Sequence, residues 1–219
     1  MNADGPLFDS THAALKFALN YSSGIQSPLM NRMAADGKLQ RVELKEGERV
    51  TVGVGMRMRR PKRPSLRGLD GAAQAAMIAQ ELNHLDEAQK HSIIAAFKQW
   101  VLPCACRSPC CMGFRRNPGW VASITALCEI LKNEAQLSRV RGKKGLSTHP
   151  LMRQALVERF FIPEKPIVLA DLAEKCNVTQ ATIIAHKKPI ELFLSEQQSA
   201  GLRELDQTLS LLGIVGSFD

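Results

Sequence analysis

The chain has 219 residues, of which 45% are hydrophobic and 23% charged, and its formal net charge is +8. This balance excludes a disordered tail and fits one or two compact domains, each with a buried core. No run of apolar residues approaches the ~18 that a membrane span needs, and the first residues lack a basic segment followed by an apolar one. The sequence therefore predicts no membrane partner and a cytoplasmic location.

The first half of the chain reads mainly as helix. Residues 9–21 open with capping residues and place apolar side chains on one helical face, which predicts a first helix. Two short segments with β preference, residues 41–44 and 49–54, predict a small hairpin near the N-terminus. Two further helices are predicted over residues 69–85 and 86–102, the second ending at Pro103.

Residues 117–133 predict another amphipathic helix. Asn117 is suited to cap it, and Pro118 occupies the first turn, where its missing N–H costs nothing. The apolar residues that follow have helical spacing, namely Val121, Ile124, Leu127, Cys128 and Leu131. Cys128 is therefore expected to pack in the apolar stripe of this helix.

Two short runs concentrate the positive charge. Residues 57–68 contain no acidic residue. Their cations include Arg57, Arg59, Arg60, Lys62 and Arg63. Residues 139–144 form a second such run. Clustered Lys and Arg supply a phosphate-binding surface without reading sequence, although prolines and glycines in and beside these runs also fit solvated linkers. The runs divide the chain into residues 1–68, residues 69–146 and residues 147–219.

The stretch "PCACRSPCC" contains four of the six cysteines, Cys104, Cys106, Cys110 and Cys111. Thiols in the cytoplasm stay reduced, which favours metal ligands or packed side chains over disulfides. A tetrahedral Zn²⁺ takes four thiolate or imidazole ligands, and His84 or His91 is an alternative fourth ligand because adjacent cysteines on an extended chain point apart. The sequence is compatible with zinc binding and with simple packing of the thiols. A catalytic thiol would need a cysteine paired with a histidine base, and the sequence shows no such pair.

A helix-turn-helix is predicted within "LADLAEKCNVTQATIIAHKK", residues 169–188. The small Ala173 allows two helices to cross closely, Asn177 tolerates a left-handed turn, and Thr179 is suited to cap the second helix. An ordinary helical hairpin is the alternative. The predicted fold class is thus mainly α, a helical bundle with a C-terminal helix-turn-helix domain and a further C-terminal helix.

The second helix of this unit is the expected DNA-reading element. Gln pairs with adenine edges, Thr bonds bases or phosphates, and Lys suits phosphates. His186 is expected near the edge of the exposed face, as a packing or surface residue. The predicted contacts to double-stranded DNA are Thr179, Gln180, Thr182, Lys187 and Lys188.

The segment "LVERFFIPEKPIVLADLAEKCNVTQATIIAHKKPIELFL" resembles the C-terminal domain of bacterial sigma factors. Together with the preceding "CC" and a helix that carries another cysteine, it resembles the late-gene antitermination Q proteins of lambdoid phages. The resemblance covers residues 109–194, and it lies in the order of the elements more than in residue identity. It departs at the cysteines, because the lambda branch has paired Cys-x-x-Cys motifs that bind zinc and this chain does not.

The resemblance implies a DNA-binding transcription regulator in a bacterial host cell. Proteins of this kind bind a DNA element at a late promoter and engage RNA polymerase, with its sigma factor, so that it reads through terminators. They are not enzymes, and the chain has no Gly-rich phosphate loop and no HExxH motif. A helix-turn-helix repressor or activator, and a DNA-tethering adaptor for phage packaging or recombination, are the alternatives.

Overall fold

The structure is a computed structural model that describes residues 6–21, 68–104, 113–134, 149–164 and 167–216. The predicted N-terminal hairpin, both basic runs and three of the four clustered cysteines lie outside these residues. The chain divides into two compact units, residues 1–20 with 75–219, and residues 21–74. Apart from the first half of one helix, the features below belong to the former.

The described residues are mainly helical, which confirms the predicted class at that level. A single antiparallel pair of strands accompanies the helices in this part of the chain. In chain order the elements are α1 (Thr11–Asn20), α2 (Gly68–Glu81), α3 (Glu87–Phe97), β1 (Val101–Pro103), β2 (Phe114–Arg116), α4 (Pro118–Asn133), α5 (Pro150–Phe161), α6 (Leu169–Cys176) and α7 (Gln180–Leu211).

Helix α4 forms as its sequence predicts. The side chain of Asn117 accepts a hydrogen bond from the Gly119 N–H at 3.1 Å, and Pro118 occupies the first turn. The buried side chains recur at helical spacing, at Trp120, Ile124, Leu127 and Leu131. Cys128 packs beside this stripe, partly buried, as expected.

Helix α3 ends five residues earlier than predicted, at Phe97, and the chain then turns into strand β1. Asn20, the last residue of α1, stabilises this exit. Its side-chain amide donates to the Phe97 carbonyl at 2.8 Å, and its side-chain oxygen accepts from the Gln99 N–H, also at 2.8 Å. These bonds satisfy backbone groups that a continuing helix would have paired internally.

Strands β1 and β2 pair in the register Val101 with Arg116, Leu102 with Arg115 and Pro103 with Phe114. Asn117 extends the pairing, because its N–H donates to the Trp100 carbonyl at 2.9 Å. Its side-chain amide also donates to the Gln99 carbonyl at 2.8 Å. One buried asparagine therefore closes the strand pair and caps the following helix.

Two hydrophobic clusters form the core. The first cluster combines α4, α5, α6 and the first half of α7, so it unites side chains from both sides of the predicted division at residue 146. The second cluster combines α1, α2, α3 and the last part of α7. Helix α7 supplies Ile183, Ile190 and Leu194 to the first and Leu205 and Leu209 to the second.

Helix α7 is continuous over 32 residues, where the sequence predicts a recognition helix and a separate C-terminal helix. Pro189 lies inside it, and Gly201 lies about two thirds of the way along it on the buried side. A Cβ atom on Gly201 would lie 2.8 Å from the Ile93 Cδ1 atom and 3.1 Å from the Gln89 Cβ atom. The missing side chain thus allows α3 to approach the backbone of α7.

Replacing Gly201 with leucine is expected to lower the free energy of unfolding by about 1–3 kcal/mol, because the new side chain must displace α3. Urea unfolding followed by circular dichroism measures the change. Ser199→Leu is the matched control, since Ser199 is exposed on the same helix, and it should cost less than about 0.5 kcal/mol. Equal losses in the two variants would contradict close packing at Gly201.

Candidate nucleic-acid interface

Helices α6 and α7 meet at a tight turn. Asn177 adopts the left-handed conformation, with φ 51° and ψ 46°, as expected for the turn. The Val178 N–H then bonds the Ala173 carbonyl at 3.0 Å, and the Thr179 hydroxyl accepts from the Thr182 N–H at 3.2 Å. The predicted left-handed turn and the predicted helix cap are therefore both present.

The inner side of this helix pair is apolar. Leu172, Ala173 and Cys176 of α6 are buried, and Ile183 and Ile190 of α7 are fully enclosed. These side chains belong to the first cluster, which α4 and α5 complete. Packing therefore determines which side of α7 is available to a ligand.

Most of the predicted contact residues lie on the exposed side of α7. Thr179, Gln180, Lys187 and Lys188 are exposed, and Ile184 between them is 55% exposed. Thr182 is half-buried, and its hydroxyl lies 2.9 Å from that of Thr179 in a hydrogen bond. The Lys187 amine lies 3.8 Å from the Glu191 carboxylate. This surface combines amide, hydroxyl, ammonium and apolar groups along about two helical turns.

His186 is a packing residue, one of the two roles expected of it, but the position expected for it near the edge of the exposed face is wrong, because its side chain is only 4% exposed and lies on the core side. It continues the buried stripe of Ile183 and Ile190 at helical spacing, so the face turned inward is broader than the sequence indicated. Its Nε2 atom has no hydrogen-bond partner among the described residues. Burial lowers the pKa of the His186 imidazole below its ordinary value, which favours the neutral ring.

An ion pair between an exposed arginine and a buried glutamate joins the strand pair to α5. The Arg116 guanidinium donates two hydrogen bonds of 3.0 Å to the Glu158 carboxylate, whose side chain is 5% exposed. The Gln154 amide donates a third bond, also of 3.0 Å, to the same carboxylate. Bidentate pairing of this kind fixes direction as well as distance. The sequence analysis missed it, because the two partners lie 42 positions apart.

Two grooves share Ile167 in their lining. One, of about 510 Å³, is bounded by Ile183 and Ile184 of α7, with Arg159 and Lys187 at its edge. The other, of about 280 Å³, lies between Arg116 and Lys175. Each groove thus combines an apolar wall with cationic side chains.

The cysteines divide into buried thiols and the predicted zinc cluster. Burial raises the pKa of the Cys128 thiol to about 11 and also raises that of Cys176, so both stay protonated and unreactive at neutral pH. Cys104 is half-buried, and its N–H donates to the Gly113 carbonyl at 2.7 Å. Cys106, Cys110 and Cys111 lie outside the described residues, so zinc binding stays a prediction.

The two histidines considered as zinc ligands lie on or beside α3. His84 is exposed. The Nε2 atom of His91 lies 3.0 Å from the Glu87 carboxylate, and its Nδ1 atom lies 3.4 Å from the Ser123 hydroxyl. Over the part of the chain that the structure describes, no three His, Cys, Asp or Glu side chains form a metal-binding group.

The cations of the predicted basic linker, Arg57, Arg59, Arg60, Lys62 and Arg63, also lie outside the described residues. Among the helices that are described, none has the length and apolar character to cross a membrane.

Comparisons with protein families, curated proteins and solved structures found no match to this chain. Its function must therefore be inferred from the geometry of its own residues and from the resemblance described above.

The neutral, buried His186 leads to a prediction about pH. The unfolded chain binds more protons at this position than the folded one, so its contribution to stability is present above the unfolded pKa of about 6.5 and is lost as the pH falls. We expect His186→Leu to lose less stability than the native chain between pH 7.5 and pH 5.5. Thermal melting across this range measures the difference.

The control for this measurement is His84→Gln, because His84 is exposed and its replacement should leave the pH dependence of melting unchanged. Parallel pH profiles for His186→Leu and the native chain would contradict a neutral His186 in the folded state.

Proposed function

We propose that this chain is a transcription regulator that binds double-stranded DNA through α6, the turn at Asn177 and the first half of α7. The observation that carries the proposal is the distribution of side chains on α7. One side of the helix is held in the core, whereas Gln180, Ile184 and Lys188 lie on the exposed side. A reading helix needs this combination, because its orientation must be determined before its side chains can select bases.

The chemistry of the exposed side suits a major groove. The first residues of a recognition helix meet the base edges, and Gln180 is the first residue of α7. Its amide can donate to and accept from an adenine edge, and Ile184 one turn later offers an apolar contact for a thymine methyl group. Lys187 and Lys188 follow, where ammonium groups would meet phosphates. The net charge of +8 favours the same polyanionic partner.

The more specific part of the proposal is late-gene antitermination. It is supported by the resemblance of residues 109–194 to phage Q proteins, and it assigns bacterial RNA polymerase as the protein partner. Exposed apolar side chains farther along α7, such as Leu192 at 59% exposure, are available for a protein contact beyond the DNA. A promoter-bound repressor or activator would use the same helix pair without this second partner.

Two substitutions on α7 test the DNA-binding part. Gln180→Ala is expected to change which sequence is preferred, at a cost of about 1–3 kcal/mol for the best site, because a base contact is lost. Lys188→Ala is expected to weaken all sequences alike and to reduce the salt dependence of binding by about one phosphate contact. Selection from a random duplex library, followed by titrations at several salt concentrations, measures both.

The control is Gln207→Ala, an exposed glutamine near the far end of the same helix, which should bind DNA as the native chain does. If Gln180→Ala and Lys188→Ala also leave preference and salt dependence unchanged, α7 is not the reading helix.

A transcription assay tests the more specific part. With purified bacterial RNA polymerase and sigma factor on a template that carries the selected duplex site upstream of a terminator, the chain is expected to increase readthrough. Gln180→Ala should reduce this effect at that site, whereas Gln207→Ala should not. If the chain binds its site but does not increase readthrough, the antitermination proposal is wrong, and repression, activation or DNA tethering becomes the assigned function.

A further inference from the structure

The larger of the two grooves has the size and the lining of a small-molecule site. Its most buried lining residues are Leu156 of α5 and Ile183 of α7, at 3% and 0% exposure, so its inner end is apolar. Ile167 and Leu169, from the segment that enters α6, also line it. Its volume of about 510 Å³ lies within the range of ligand sites, about 300–1,000 Å³. We call this space the α5–α7 groove.

The charged groups of the α5–α7 groove have one sign. Arg159 of α5 and Lys187 of α7 line it, and none of the described residues in its lining is acidic. Arg159 is half-buried and Lys187 is exposed, so both cations lie closer to solvent than the apolar inner end. Ile184, which also lines the groove, is 55% exposed. An apolar interior with cations nearer to its mouth suits a ligand with an apolar body and an anionic end.

The present partner of Lys187 leaves the lysine available to a ligand. Its amine lies 3.8 Å from the Glu191 carboxylate, and the two side chains are 46% and 37% exposed. An exposed ion pair at this separation on one helix contributes little to stability. The amine is carried on a flexible four-carbon stem, so it can turn to a bound anion at small cost. Glu191 itself does not line the groove.

The smaller groove gives a comparison within the same structure. Its volume is about 280 Å³, and its lining includes the Glu158 carboxylate, which already accepts two hydrogen bonds from the Arg116 guanidinium. An anionic ligand there would meet a buried carboxylate of its own sign, which is unfavourable. Of the two grooves, the α5–α7 groove is therefore the one that suits an anion.

We infer that the α5–α7 groove binds a small apolar monocarboxylate, such as a medium-chain fatty acid. The chain of the ligand contacts Leu156 and Ile183, and its carboxylate contacts Arg159 and Lys187. Removal of the chain from water supplies most of the affinity, because this gain grows with the apolar area buried. The two cations select the anionic end through charge-assisted hydrogen bonds.

A bound monocarboxylate would compete with duplex DNA, a consequence that rests on the proposed function. Ile184 and Lys187 line the groove and also belong to the side of α7 that would meet a major groove. A ligand in contact with them covers part of that side, and its carboxylate takes up a cation that would otherwise meet a phosphate. The DNA binding of the chain then responds to the concentration of the monocarboxylate.

Calorimetric titration of the full chain with decanoate measures the binding directly. Decanol and decylamine have the same apolar chain with no charge and with the opposite charge, and each ligand is kept below the concentration at which it forms micelles. We expect both to bind at least about 5-fold more weakly than decanoate, because neither offers an anion to the cations. Decanoate should also raise the melting temperature, since a ligand of the folded chain stabilises it.

Two substitutions locate the site. Arg159→Gln is expected to weaken decanoate binding about 2- to 5-fold and to leave decanol binding unchanged. Ile184→Glu places a carboxylate in the lining, so it should weaken decanoate at least about 5-fold and make decylamine the preferred ligand. The matched controls are Lys175→Gln and Leu151→Glu, exposed residues that line the smaller groove, and both should bind decanoate as the native chain does.

Melting without ligand shows whether a variant loses stability. Ile184 is exposed, so Ile184→Glu should melt close to the native chain. The reversal of ligand preference in this variant therefore tests the site even if Arg159→Gln is destabilised.

Three outcomes would overturn the inference. Equal affinities for decanol and decanoate would show that the cations do not recognise the ligand. Native affinity for decanoate in Ile184→Glu would show that the ligand binds elsewhere. A melting temperature lowered by decanoate would show that it binds the unfolded chain instead.

The competition is measured with the duplex selected by the native chain. Decanoate at ten times its dissociation constant is expected to raise the apparent dissociation constant of that duplex about tenfold, by mass action at a shared surface. Unchanged duplex affinity at saturating decanoate would contradict the competition. A chain that binds decanoate and no duplex would contradict the proposed function and leave the groove site in place, so the two proposals fail separately.

Discussion

Helix α7 passes through both hydrophobic clusters, and the arrangement of the other helices depends on how its long apolar stripe is covered. At 1.5 Å per residue its 32 residues extend about 48 Å. Each of its fully buried leucines and isoleucines contributes about 1.5–3 kcal/mol through burial. Summed over these five side chains, the gain exceeds the cost of Pro189, whose ring removes a helical hydrogen bond at about 3 kcal/mol. Tertiary packing therefore maintains a helix that local preference would interrupt.

The same constraint shapes the candidate interface. Because Ile183, His186 and Ile190 are enclosed, α7 cannot rotate about its axis without exposing apolar surface, and the side chains opposite them keep one orientation. The pair of strands β1 and β2 is restrained by other means, through asparagine side chains and a buried carboxylate. The exposed side of α7 is oriented by apolar burial and the strand pair by hydrogen bonds, so different substitutions would loosen each of them.

Local features of the fold could be predicted, and features that join distant residues could not. The cap at Asn117, the left-handed Asn177 and the cap at Thr179 depend on neighbouring backbone groups, so a short stretch of sequence contains the necessary information. The early end of α3 depends on Asn20, which lies 77 positions from the carbonyl it bonds. The strand pair and the Arg116–Glu158 ion pair likewise join residues far apart in the sequence, which helical or strand periodicity cannot connect. His186 was misplaced because an imidazole is polar in composition yet can be enclosed when neutral.

The pairing of Phe8 with Val215 has a consequence for the order in which the chain is made. The Phe8 N–H donates to the Ile214 carbonyl at 2.9 Å, and Ala14 and Leu15 of α1 share a cluster with Leu205 and Leu209. During translation α1 leaves the ribosome long before these partners exist, so the part of its apolar side that α7 covers stays open for most of synthesis at ~5–20 residues per second, although α2 and α3 are made sooner. A nascent chain stalled before residue 205 would expose this surface to chaperones and proteases. Once the chain is completed and released, Leu205 and Leu209 can cover it.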